Sequence, residues 1–448
     1  MQCCVLIAAF FQPQTEPSMS SPRPTHVLII GYVWPEPRSS AAGGHMMQII
    51  ESFLQQGWQI TFSSPAGVGE HKADLAVLGI NEVAIELNNS SFDTFISELA
   101  PDIVLFDRFM MEEQFGWRVE KHCPNALRVL ETSDLQSLRD ARHLQLKARL
   151  KQDPEQDDFS SLFAPAQRAT FEHMADADLA QREIAAIYRS DLNLMISEYE
   201  IDLLVEQFHV PESLLHWCPL MVDNVPEQWV PYEQRQHFLS IGNFRHAPNW
   251  DAVLWMKTHI WPLIRQQLPD AQLHVYGAYT PPKATALHNP VQGFHVLNWA
   301  EDALAVMSSA RICLAPLRFG AGIKGKIADA MLCGTPNVTT PVGAEGMHGD
   351  LPWAGAVEQS ASAIAQAAVE LYRNPQAWQQ AQQNGRALLQ ARYLKSSHGP
   401  ALVQRIEACR AELEQHRRNN FTGAMLRHHQ HKSTQYMSQW IEAKNRTH

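Results

Sequence analysis

Short apolar runs and helical stretches alternate through this chain twice over, and that alternation limits the fold more than any other feature. His26-Val27-Leu28-Ile29-Ile30 is the β-branched run that a buried parallel strand requires. A Pro/Ser/Gly-rich loop follows from Trp34 through Gly44. His45 to Gln56 then carries helical periodicity in Met47, Ile49, Ile50, Phe53 and Leu54, with Gly57 placed to end the helix. Gln59-Ile60-Thr61-Phe62 predicts the next strand, so strand–loop–helix–strand opens a Rossmann-like unit. Further strands are predicted at Ile103–Phe106, Ala126–Leu130 and Leu192–Ile196. Between the last two, Gln136 to Ile187 reads as helical and charged, broken by the polar stretch Asp153 to Ser161.

The pattern resets near Val222-Asp223-Asn224-Val225-Pro226, and Pro231 to Gln236 reads as a linker. Strands are predicted at His237–Gly242, Leu273–Tyr276, Phe294–Val296, Ile312–Ala315 and Asn337–Thr339. Helices are predicted at Trp250–Gln267, Glu301–Ala310 and Lys324–Cys333, and nearly everything after Ala361 reads as helix. With 448 residues the chain exceeds the roughly 250–300 that one core supports. The expectation is therefore an α/β chain of two Rossmann-like domains. A lead covers 1–25, an N-terminal Rossmann-like domain 26–222, a linker 223–236, a C-terminal Rossmann-like domain 237–372, and helices 373–448.

Composition removes several classes. The net charge of -11 gives the whole chain no electrostatic reason to bind nucleic acid, and Arg417-Arg418 and the run Arg427 to Lys432 read as solvated helix surface. Seven cysteines (Cys3, Cys4, Cys123, Cys218, Cys313, Cys333 and Cys409) are scattered, which reads as reduced thiols in a cytoplasmic protein. The apolar start, Cys3 to Phe11, lacks the basic flank of a signal peptide and the length of a spanning helix. Translation from Met1 or from Met19 fits equally well.

Ala315 to Gly346 carries the chemistry: APLRFGAGIKGKIADAMLCGTPNVTTPVGAEG. A strand ends at Ala315, a loop holds Gly320, Gly322 and Gly325, and a helix begins near Lys324. Glycines let a backbone approach a ligand, and the free N–H groups and positive dipole of a helix start favour phosphate. Lys324 and Lys326 add full charges, so the segment suits a diphosphate at strand C-termini. A tight strand–helix turn with two solvent-exposed lysines is the alternative, because a glycine-rich loop alone is a weak signal.

This segment resembles the donor-binding region of family 4 glycosyltransferases, retaining enzymes of the GT-B fold, in its P-L-x-x-G-x-G-x-K-x-K version. The resemblance extends to Ile241-Gly242-Asn243-Phe244-Arg245-His246-Ala247-Pro248-Asn249-Trp250-Asp251 and to Leu273-His274-Val275-Tyr276-Gly277. It continues more weakly to Gly43-Gly44 and to Asp134 through Arg139, covering roughly residues 26–390. It implies that Lys324 holds the donor diphosphate with Arg245 as second cation. Gly322 and Ile323 would offer backbone N–H groups, and Gly242, Asn243, Gly277, Gly320 and Lys326 would complete the donor loop. The family's ribose-binding Glu falls at Asp329, and its sugar-contacting Glu falls at Ala321. The sugar is then left to the backbone of Ala344, Glu345 and Gly346, or to the Glu345 carboxylate.

Gly43 and Gly44 open a helix, so their N–H groups either close onto the β-phosphate or serve an ordinary helix start. The family's catalytic His is replaced at Ser133-Asp134, where Asp134 would orient an acceptor hydroxyl or cap the next helix. Arg108, after the strand Ile103–Phe106, would meet a phosphate or acidic acceptor, or pair with Asp107 or Glu112. His428, His429 and His431 read as surface, and the resemblance implies no metal and no cofactor beyond the nucleotide-sugar co-substrate. Beyond a Gln-rich helix, Pro375 to Arg392, expected to cross back to the N-terminal domain, Leu402, Ile406, Cys409 and Leu413 form an apolar stripe. Phe421, Met425, Tyr436, Met437, Trp440 and Ile441 form a second. Such stripes pack on the protein's own core, with self-association or peripheral membrane contact as the other outlets.

The reading is a glycosyltransferase moving a sugar from a nucleotide-diphosphate donor to a glycan or lipid-linked acceptor, with retention, in polysaccharide biosynthesis. A GT-B nucleotide-sugar epimerase and a non-catalytic nucleotide-sugar-binding scaffold are the alternatives.

Overall fold

The computed structural model describes residues 23–446 apart from 154–155, 157–158, 164–166 and 429–431. Cys3, Cys4, Met19, His429 and His431 therefore lie outside the described residues. Two parallel sheets organise the rest, each wrapped by helices. The first holds β1 (His26–Ile30), β2 (Gln59–Ser64), β3 (Asn81–Ala84), β4 (Ile103–Asp107), β5 (Leu127–Glu131), β6 (Leu192–Met195) and β7 (Leu215–Trp217), in the order β3-β2-β1-β4-β5-β6-β7. The second holds β8 (Gln236–Ile241), β9 (Leu273–Tyr276), β10 (Phe294–Asn298), β11 (Ala310–Ala315), β12 (Asn337–Thr339) and β13 (Gly355–Val357), in the order β10-β9-β8-β11-β12-β13. In each sheet the order reverses beside the first strand, between β1 and β4 and between β8 and β11. Crevices for ligands open at such switch points, outside the strand C-termini.

The central strands are buried on both faces, which is why they read as unbroken apolar runs: Val27 to Ile30 and Ile103 to Phe106 are fully inaccessible. Helix α1 (Ala41–Leu54) starts earlier than its periodicity suggests, because Ser40 caps it by accepting from the Gly43 N–H at 3.0 Å. The charged stretch after β5 contains α2 (Gln136–Gln152) and α3 (Asp178–Arg189), and α4 (Glu198–Glu206) follows β6. In the second domain α5 (Gly325–Leu332) leaves the glycine loop after β11.

The C-terminal helices correct two expectations. The helix α6 (Pro375–Arg392) packs on the second sheet, with Trp378 in that core. The crossing is made one helix later, by α7 (Lys395–Ala411), whose Leu402, Ile406 and Cys409 join the first domain's core. The second apolar set does not pack as a core stripe. Phe421 is 70% exposed and Trp440 60%, and Met425, Tyr436 and Met437 are also exposed. Among the described residues no helix is long and apolar enough to cross a membrane.

Candidate functional site

The two crevices face each other, and the glycine loop between β11 and α5 lies between them. Lys324 is the N-cap residue of α5 and is buried, its ammonium donating to the Gly322 carbonyl. Burial pulls that ammonium down to about 8, against the favourable field of Glu345. Lys326 donates to Asn249 Oδ1 at 2.5 Å, and burial takes it to about 8 as well. Gly242, at the end of β8, is bare for a steric reason: a Cβ there would stand 2.6 Å from the Asn249 amide and 2.8 Å from Lys326 Nζ. Gly277 likewise backs onto the Gly242 carbonyl. The structure thus brings Gly242, Gly277, Asn249 and the two lysines together.

Other residues named from the sequence take varied places. Asn243 accepts from the Arg245 N–H at 2.8 Å, while the exposed Arg245 lays its guanidinium over the Tyr279 ring at 3.5 Å. The Tyr279 hydroxyl donates to Glu36 of the first domain at 3.0 Å. Asp329 stays open to solvent in a crowded recess, and desolvation lifts its carboxyl to about 6. Ile323 is buried among Ile196, Leu220 and Met331. Ala344 is buried at the end of a short helix, and Gly346 abuts Ser197 of the first domain.

Three expectations change. Glu345 is not free for a sugar, because Arg142 of α2 holds its carboxylate by two hydrogen bonds of 2.8 Å each and also donates to the Gly320 carbonyl at 2.8 Å. The Gly322 N–H, at φ 62°, is taken by Glu200 Oε1 at 2.7 Å. The Gly43 N–H is held by Ser40 Oγ and the Gly44 N–H by the Ser40 carbonyl at 3.1 Å, so in this geometry both serve the helix start. Ala321 is buried in the apolar cluster of the first domain. A carboxylate in its place would be driven into that apolar cluster.

Across the cleft, Asp134 does not cap α2. Glu183 accepts from the Gln136 and Ser137 N–H groups at 2.9 and 3.0 Å, and Glu200 accepts from Leu135 N–H at 3.0 Å. Burial alone would raise the Asp134 carboxyl, but its ion pair with Arg139, aided by His246 and Arg108, holds it below the usual range. Arg108 sits 3.5 Å from Asp107 and over the Tyr32 ring, whereas Glu112 is taken by Arg189 at 2.9 Å. Arg108 and Ser133, at the ends of adjacent strands, both adopt positive φ, 71° and 60°. Such backbone strain in non-glycine residues gathers at functional sites.

Beneath them lies a polar network that the sequence did not disclose. Glu131 accepts from the Ser133 N–H and hydroxyl, both at 2.9 Å, and faces His45 Nδ1 at 3.3 Å, off the line of a good hydrogen bond. Burial opposes a charge on His45, yet Cys218 and Glu131 together raise it to about 10. Arg142, Glu183 and Glu200 were equally unmarked, because each acts across an element or domain boundary with no local spacing to reveal it. Among the described residues no group of three His, Cys, Asp or Glu is gathered to hold a metal ion, and His428 is exposed.

Two Rossmann-like domains with facing crevices and a terminal helix crossing back define the GT-B fold. Residues 235–374, the domain with the lysine loop, match the family described as glycosyl transferases group 1. The fold aligns with the sucrose-phosphate synthase of Thermosynechococcus elongatus at TM-score 0.60 and 14% identity, over 86% of this chain and 99% of that one. A glycosyltransferase from Rickettsia africae ESF-5 aligns at 0.60 and 10%, over 86% and 98%. Anabaena HepE in complex with UDP and glucose aligns at 0.56 and 12%, over 85% and 99%. No curated protein matches the sequence.

Proposed function

We propose that the protein is a retaining, metal-independent glycosyltransferase that moves a hexosyl group from a nucleotide-diphosphate sugar to a glycan or lipid-linked acceptor in the cytoplasm. The observation that carries this reading is the convergence of Lys324, Lys326 and the start of α5 on one crevice. There, the buried Lys324 and the half-buried Lys326 face the place where a leaving diphosphate would gather charge. Arg245 would supply a further cation from its exposed position, and Asp329 would reach the ribose. UDP is the first nucleotide to try, since HepE is seen with it.

In the proposed reaction the acceptor enters between Arg108 and Asp134, and the leaving phosphate takes the acceptor proton on the face from which it departs. No covalent enzyme intermediate is needed. Glu345, bound to Arg142, would shape the sugar site through the backbone of Ala344 to Gly346. The exposed Tyr436, Met437 and Trp440 would serve peripheral membrane contact or self-association.

The test is thermal unfolding with UDP, GDP, ADP and dTDP. A ligand at about 100 times its dissociation constant stabilises by roughly 2.7 kcal/mol. A shift with one nucleotide that disappears in Lys324→Ala supports the donor site, and no shift with any removes it. The burial of Ala321 in the first domain favours a second reading, a non-catalytic nucleotide-sugar-binding protein. That reading predicts the same shift with no transfer product.

A further inference from the structure

Glu200 lies in the first turn of α4, and its carboxylate is buried at the boundary between the domains. One oxygen, Oε1, accepts two backbone hydrogen bonds, from Leu135 at 3.0 Å and from Gly322 at 2.7 Å. It therefore ties the acceptor-side helix α2 to the lysine loop. The other oxygen, Oε2, is buried without a hydrogen-bond partner. Asp134 and Arg139 near the start of α2, Arg142 one turn on, and Lys324 beyond Gly322 are the charged groups that face it.

The Gly322 N–H stands at the mouth of α5, where the helix dipole and two lysines favour an anion. When ionised, the Glu200 carboxylate is an anion of the protein's own already in that place. We propose that Glu200 is an internal competitor for the donor diphosphate, its carboxylate holding the Gly322 N–H until a phosphate oxygen of the incoming nucleotide takes its place. This rests on the reading of the lysine loop as the donor site. Two anions cannot share one N–H at low cost, because like charges at that distance repel. The displaced carboxylate keeps its bond to Leu135, so it pivots on the start of α2. Because the same oxygen bridges the two domains, its displacement also removes one of the hydrogen bonds between them.

Burial raises the Glu200 carboxyl to about 8, with Asp134 adding to the rise and Lys324 opposing it. The competitor is thus weaker in acid and stronger in base. Lys324 and Lys326 titrate in the same range, so the informative quantity is the affinity of Glu200→Gln over that of the unchanged protein: Lys326 cancels in it, while Lys324 loses the support of the Glu200 charge in the variant, which works against the tightening looked for. Calorimetric titration with UDP reads it at about pH 6 and about pH 8.5. The ratio should be near one in acid and should rise to roughly fivefold tighter binding by the variant in base, the effect of freeing one hydrogen bond from a competitor. Equal affinities at both pH values, or weaker binding by the variant, overturn the proposal while UDP binding by the unchanged protein leaves the donor site standing. Binding by neither protein to UDP, GDP, ADP or dTDP removes the donor site and the competitor together. Should Glu200→Gln fail to fold, Glu200→Asp, which keeps the charge but cannot reach Gly322 as closely, should show the same tightening in base. An unchanged affinity there also overturns the proposal.

Discussion

Arg142 and Glu345, from opposite domains, meet in a two-point ion pair with both hydrogen bonds at 2.8 Å and both side chains largely buried. Burial would destabilise the guanidinium charge, and Glu345 offsets this so that Arg142 stays firmly protonated. Removing one member of such a pair strands the other, which typically costs about 3–5 kcal/mol. Arg142→Ala and Glu345→Ala should each lower Tm by several degrees, and the double variant should fall by less than their sum. Strict additivity in a double-mutant cycle of Tm values would mean that the pair does not form in solution.

Lys324 and Lys326 make two pH effects run in opposite directions. Both ammonium groups are lowered to about 8 by burial, whereas in the unfolded chain they titrate near 10.4. Between those values the unfolded state binds more protons, so these groups make folding stability rise with pH. Nucleotide affinity, which needs the charges, should fall over the same window. Lys324→Met should reduce UDP affinity about tenfold or more at neutral pH, the loss of a hydrogen bond to a charged group. It should also flatten part of both pH profiles. Affinity in Lys324→Met that matches the unchanged protein would remove Lys324 from the phosphate site.

Much of this architecture is readable from the sequence, and the exceptions share a cause. Central strands such as His26–Ile30 announce themselves because both faces are buried. The strands the pattern missed, Asn81–Ala84, Leu215–Trp217 and Gly355–Val357, all lie at sheet edges, where one side needs no apolar partner. The lysine loop was legible because glycines, a strand end and a helix start are neighbours in sequence. Glu200 and Arg142 were not, since their partners lie 122 and 203 residues away, in the other domain. The start of α1 was misplaced because Ala41 to Gly44 carry no apolar periodicity, although Ser40 supplies the cap.

Ala321 stands where the resemblance to family 4 glycosyltransferases would place a carboxylate. Its methyl group is buried in the first domain's apolar cluster, one residue from the N–H that Glu200 accepts. Ala321→Glu would drive a carboxylate into that cluster beside Glu200, at a cost of several kcal/mol if it stays ionised. The expected outcome is a lower Tm and no gain in transfer. A variant with unchanged Tm and faster turnover would show that the loop moves out of the first domain during the reaction and that the lost carboxylate limits the rate.

Arg108 separates stability from activity. Its φ of 71° and ψ of 155° place it in backbone territory that glycine alone occupies without strain, at a cost of about 1–3 kcal/mol. Its 3.5 Å contact with Asp107 and its place over the Tyr32 ring are modest compensation for a partly exposed cation. Arg108→Gly relieves the strain while deleting the guanidinium, so Tm should hold or rise by a few degrees. If Arg108 contacts the acceptor, transfer should nevertheless fall by about tenfold or more, chiefly through a higher KM for acceptor. Arg108→Lys, which keeps the charge but not the planar fork, should recover only part of it. A fall in Tm with turnover unchanged would make Arg108 a brace for Asp107 instead, and the acceptor site would then have to be sought around Asp134 and Arg139.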